Sequence, residues 1–83
     1  MSTEQKFEPL SECVRNALTQ YFAQMGSHPP TDLYDLVLRQ VERPLLECVL
    51  EQAGGNQTRG AQMLGVSRST LRKKLQTYQI GKD

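Results

Sequence analysis

The run NQTRGAQMLGVSRSTLRKKLQTYQ, residues 56–79, leaves its backbone few choices. Asn56 is a residue type that caps a helix N-terminus, and Gly65 supplies the positive φ at which a helix ends. Gly65 and Val66 then make a turn, and Ser67 stands where a second cap belongs, ahead of RSTLRKKLQTYQ. Two helices joined this tightly need a small residue where they cross and apolar residues facing inward. Ala61 meets the first need, and Leu64, Val66, Leu71 and Leu75 are placed for the second. The expectation is a helix-turn-helix whose second helix carries Arg68, Arg72, Lys73 and Lys74.

A run such as RKK is by itself usually the solvated face of an ordinary helical hairpin. Here the basic residues coincide with a capped second helix and a small-residue crossing, and the charge along the chain is uneven. The formal net charge is only +1, yet residues 1–53 hold four basic side chains against eight acidic ones. Residues 54–83 hold six basic side chains against Asp83 alone. Positive charge gathered on the second helix and its surroundings is the footprint of a surface that seeks double-stranded DNA.

Eighty-three residues make one small domain with a thin core, so association with a second copy is expected before any motif is considered. With 37% hydrophobic and 23% charged residues the composition is that of a folded soluble chain. Its longest apolar stretches are a few residues long, so no signal peptide or membrane span is expected and the cytoplasm is the expected compartment. Cys13 and Cys48 fall on the apolar stripes of different helices without a metal-binding spacing, which favours buried free thiols over a disulfide. His28, set between Ser27 and Pro29, reads as a solvated loop residue. With one loop histidine and no clustered nucleophile or metal set, no catalytic site, metal or cofactor is expected.

Taken in order, residues 1–9 read as a short flexible lead closed by Pro9. Leu10, Cys13, Val14, Ala17, Leu18, Tyr21, Phe22 and Met25 have the three-and-four spacing of an amphipathic helix, expected over residues 10–25. Gly26 to Pro30 break it, and Thr31 or Asp32 is placed to cap a second helix over residues 32–53. Its stripe is Leu33, Leu36, Val37, Val41, Leu45, Cys48, Val49 and Ala53, widened by Leu38, Leu46 and Leu50. Pro44 removes a backbone donor and crowds the carbonyl of Gln40, but the pattern keeps its phase on both sides, so one bent helix is expected. Gly54 and Gly55 end it.

This stripe is wider than two short following helices can cover. The expected fold is all-α: a four-helix chain whose N-terminal helix pair, residues 10–53, forms an intertwined homodimer core, with a helix-turn-helix over residues 54–83. Tyr21, Phe22 and Tyr34 would be core residues, and the two-fold symmetry would present two second helices at once.

From Leu10 to Ile80 the chain resembles the Fis family, the factors for inversion stimulation of bacteria. The resemblance rests on YFAQ at 21–24, DLY at 32–34, LVL at 36–38, PLL at 44–46, GNQTR at 55–59 and TLRKKL at 70–75. It implies a homodimeric, all-helical, nucleoid-associated protein that binds degenerate DNA sites, bends DNA and regulates transcription, recombination and replication, with RNA polymerase or a recombinase as further partners. Carried over by position, it makes Arg68 the reader of a guanine near each edge of the site, with Ser67 beside it at the base edges. Lys73 would reach the groove and its phosphates. Asn56, Gln57, Thr58 and Thr70 match positions that hold the phosphate backbone, and Arg72 and Lys74 those that draw in flanking DNA. An arginine fork suits guanine, and helix N-termini with hydroxyl and amide side chains suit phosphate.

The chain departs from better-known members at Ser67, where they have asparagine, and at Gly54, Gln76 and Thr77, where they have basic residues. Its lead before Leu10 is too short for the paired β-hairpin arms with which some members activate an invertase, so enhancer binding and bending without strong stimulation of inversion is expected. The rival reading is the DNA-binding end of an NtrC-type enhancer-binding regulator, which resembles Fis in this region. Such a module normally follows an ATPase domain, whereas this chain begins at Met1 and has no phosphate-cradling Gly-Lys-Ser/Thr loop. A pure protein-interaction bundle would not need the basic second helix.

Overall fold

The computed structural model describes residues 3–27 and 29–81, with side chains from Pro9 onward. All regular structure among them is helical: α1 Thr3–Met25, α2 Leu33–Gln52, α3 Gln57–Leu64 and α4 Arg68–Tyr78. The chain parts into two compact units between Leu33 and Tyr34, so α1 stands in one and α2, α3 and α4 share the other.

Helix α1 begins at Thr3 rather than at the expected Leu10, and Pro9 lies inside it. The segment TEQKFE is rich in good helix formers, and a proline near the start of a helix costs it a hydrogen bond without ending it. The flexible lead read over residues 1–9 is therefore helix from Thr3 on, Met1 and Ser2 lying outside the described residues. The helix ends as expected, at Met25, with Gly26 in the left-handed region. His28 lies outside the described residues.

Asp32 does not have the extended backbone of an N-cap: its φ is +55°, a conformation that aspartate tolerates better than most residues. Helix α2 then runs unbroken through Pro44, with Asp35 in its first turn paired to Arg39 at 2.7 Å. Gly54 and Gly55 close it, both at positive φ; the Gly55 N–H donates to the Leu50 carbonyl at 2.9 Å and the Gly54 N–H to Glu51 at 3.1 Å.

The core of the second unit is Leu46, Ala61, Leu71, Leu75 and Tyr78, with Leu50, Leu64 and Ile80 packed against it. Leu46, read from the sequence only as a widening of the α2 stripe, is among its best-buried residues at 2% exposure. Proximity in the fold, which periodicity does not report, selects it: it packs with Ala61 of α3 and Leu71, Leu75 and Tyr78 of α4, while Leu38 and Leu45 on the same helix stay open to solvent. Tyr21, Val37, Val41 and Val49 are half-buried, and other expected core residues stay open in the single chain. Tyr34 is 78% exposed, Phe22 46%, and both cysteines are free thiols on the surface rather than buried ones.

Candidate nucleic-acid interface

Helices α3 and α4 are short, and each is held by its caps. Asn56, with extended backbone, accepts the Arg59 N–H on Oδ1 at 3.1 Å; this leaves its amide N–H groups as outward donors. Gly65 ends α3 at φ +77°, its N–H reaching Ala61 at 2.9 Å while the Val66 N–H shares that carbonyl at 3.0 Å. Buried Ala61 and Gly60 let the helices approach: a Cβ on Gly60 would lie 3.4 Å from Leu71 Cδ2 and 3.6 Å from Val49 Cγ1. Val66, expected to seal the crossing, is 38% exposed and borders a small hollow with Leu46, Leu64 and Leu71.

Ser67 caps α4. Its hydroxyl accepts the Thr70 N–H at 3.1 Å, donates to Thr70 Oγ1 at 2.9 Å and lies 3.2 Å from Ser69 Oγ. With its proton and one lone pair engaged, the Ser67 side chain shapes the helix start, and the Thr70 hydroxyl, having accepted, keeps its own proton to give. Leu71, Leu75 and Tyr78, at three-and-four spacing, turn one face of α4 into the core. Arg68, Arg72 and Lys73 are exposed and take part in none of the ion pairs among the described residues. Thr58 and Thr70 are exposed too, and Gln57 is half-buried. An open groove lined by Gln57, Arg72, Gln76 and Gln79 joins the N-terminus of α3 to α4, so Gln57 of α3 and Arg72 of α4 border a common surface.

Lys74 is placed differently. Its Nζ lies 2.7 Å from Glu42 Oε2 on α2, while the Tyr78 hydroxyl donates to Glu42 Oε1 at 2.6 Å. Hydrogen bonds from Lys74 and Tyr78 hold the Glu42 carboxyl below its usual range, and the same bond to Glu42 raises the Tyr78 hydroxyl. Arg43 completes the attachment: it donates to the Tyr78 carbonyl at 2.6 Å and sits 5.5 Å from the centre of the Tyr78 ring. Helix α4 has no basic residue of its own in its last turn, so Arg43 brings a cation to the negative end of its dipole. Sequence reading missed this cluster, whose partners lie 32 to 36 residues apart.

A family of bacterial regulatory proteins, the Fis family, matches residues 37–78. A DNA-binding protein Fis of Actinobacillus succinogenes is 56% identical over 71 residues, which cover 86% of this chain and 72% of that protein. The chain belongs to the Fis family. Two further relatives named DNA-binding protein Fis are similar over most of the chain: that of Proteus mirabilis, 54% identical over 86% of this chain and 72% of its own, and that of Mannheimia haemolytica, 47% identical over 94% and 80%. The Fis-family match takes in most of α2 as well as the helix-turn-helix, the same helices that share one compact unit.

Proposed function

We propose that this chain is a DNA-binding regulator acting as a homodimer, with α4 of each copy in the major groove. The observation that carries the reading is the exposed face of α4, where Arg68, Arg72 and Lys73 stand outside every ion pair among the described residues on a helix capped at both ends. Arg68, in the first turn, reads guanine through its two-pronged guanidinium, and Arg72, Lys73 and Arg59 neutralise phosphates. Asn56, Gln57, Thr58 and Thr70 hold the backbone through amide and hydroxyl donors, while Ser67 fixes the start of α4 beside the base edges. Membership of a family of bacterial regulators supports the reading, as do the relatives' names.

The homodimer is supported by the apolar side chains left open on α1 and α2, among them Leu10, Phe22, Tyr34, Leu38 and Leu45. A two-fold pair would cover them through the helices of residues 10–53 and set two α4 helices against one duplex, an arrangement suited to bending it. The compartment is then the bacterial cytoplasm and its nucleoid, and the outcome is control of transcription and recombination, with RNA polymerase or a recombinase as protein partners. Fluorescence anisotropy with a labelled duplex tests the core of this reading: saturable binding that weakens steeply with salt is expected, and no binding at 50 mM salt, about the low end of the usual range, would overturn it.

A further inference from the structure

We propose that Glu42 is a positioning residue that lowers the electrostatic affinity for DNA of any sequence by withholding Lys74 from phosphate and fixing the last turns of α4. The proposal rests on the DNA-binding reading above. Both carboxylate oxygens are in use, one by the Lys74 ammonium and one by the Tyr78 hydroxyl, so two side chains one turn apart on α4 converge on one group of α2. The next residue, Arg43, holds the backbone of that turn through the Tyr78 carbonyl. The Glu42 side chain is 24% exposed and that of Lys74 41%, so the pair is partly shielded from water, unlike Arg72 and Lys73 on the open face.

Helix α4 thus carries two kinds of cation. Those on its open face attract any phosphate backbone. Lys74 is neutralised in place, and moving it to a phosphate would strand the Glu42 carboxylate, which itself repels DNA. Phosphate contacts do not distinguish sequences, so each cation withheld from them lowers binding to every duplex while base reading by Arg68 is retained. Glutamine at position 42 keeps the shape and an acceptor but loses the charge. Lys74 is then released, and binding to every duplex gains by a similar factor.

The test uses the full chain and two labelled duplexes, one enriched from a random pool by binding and one with its bases scrambled, titrated between about 50 and 200 mM salt. Glu42→Gln should steepen the salt slope by about 0.9 per bound chain, roughly a threefold greater loss across that range. It should also tighten the scrambled and the enriched duplex by a similar factor. The double variant Glu42→Gln with Lys74→Gln should return to the wild-type slope. Glu51→Gln, which removes the same charge from α2 outside the ion pairs, should leave the slope unchanged. An unchanged slope in Glu42→Gln, or an equal change in Glu51→Gln, would overturn the proposal. Should Glu42→Gln fail to fold, nitrogen-detected NMR of the wild-type lysine ammonium groups decides it: the Lys74 resonance should stay in place when DNA is added while that of Lys73 moves, and equal movement would refute withholding. A wild-type chain that binds neither duplex would instead sink the DNA-binding reading itself.

Discussion

Replacing Gly60 by alanine should stabilise the protein, although the site is buried at a helix crossing. Gly60 lies inside α3 with ordinary helical backbone, so it carries the entropic cost of glycine without using its freedom. Alanine recovers about 0.8–1.0 kcal/mol of helix propensity. The new methyl would meet Leu71 Cδ2 at 3.4 Å, Val49 Cγ1 at 3.6 Å and Ala53 Cβ at 3.9 Å, which is contact without overlap. Burying it adds at most about 0.8 kcal/mol, and part is spent adjusting Leu71, so a net gain of about 1 kcal/mol is expected. In a domain of this size that raises Tm by about 4–8 °C. The same substitution at Gly65 should have the opposite sign: no atom stands within 4 Å of its Cβ, but φ is +77°, and a left-handed alanine costs about 1–2 kcal/mol. Urea and thermal unfolding followed by circular dichroism, at one fixed protein concentration, measure both variants. A destabilised Gly60→Ala would show that α2, α3 and α4 approach more closely than these distances allow, and the account of how α4 is held would have to change.

Three other expectations follow from named groups. Arg68→Ala should cost about 1–3 kcal/mol per half-site and relax the preference for guanine, checked by competition with base-substituted duplexes; equal weakening on all sequences would move Arg68 to the phosphate-contacting set. Glu42 has a lowered pKa, so its stabilising contribution is complete above the ordinary carboxylate range and disappears as pH falls through the lower folded value. The gap in urea midpoint between wild type and Glu42→Gln should therefore narrow on acidification from neutral pH, and a constant gap would contradict the Lys74 and Tyr78 contacts. Sedimentation at about micromolar concentration should show a homodimer, and a folded monomer would remove the reason given for the exposed apolar side chains of α1 and α2.

Local chemistry was the most legible part of the molecule. Asn56, Gly65 and Ser67 each announce a cap because the residue type and the backbone conformation it favours are tied within a few residues. Pro44 was read correctly inside one helix because the apolar phase persists on both sides. Pro9 misled for want of such a pattern ahead of it, and α1 begins six residues earlier than the proline. Periodicity showed that α2 is apolar over a wide arc but not which part meets α3 and α4, so Leu46 was undervalued. The site residues divided in the same way. Arg68, Arg72 and Lys73 stood out by charge on a capped helix, while Lys74, identical by that criterion, is paired with Glu42 across 32 residues, a contact that only the packed chain defines.

The central claim is that two copies of α4 read guanines in the major groove, and methylation interference at guanine N7 tests it most directly. A methyl group there blocks the acceptor that Arg68 needs. Interference at two symmetry-related guanine positions on an enriched duplex, separated by about one helical turn or more and lost in Arg68→Ala, is the expected result. Binding that is indifferent to N7 methylation, or interference confined to one half of the site, would contradict it.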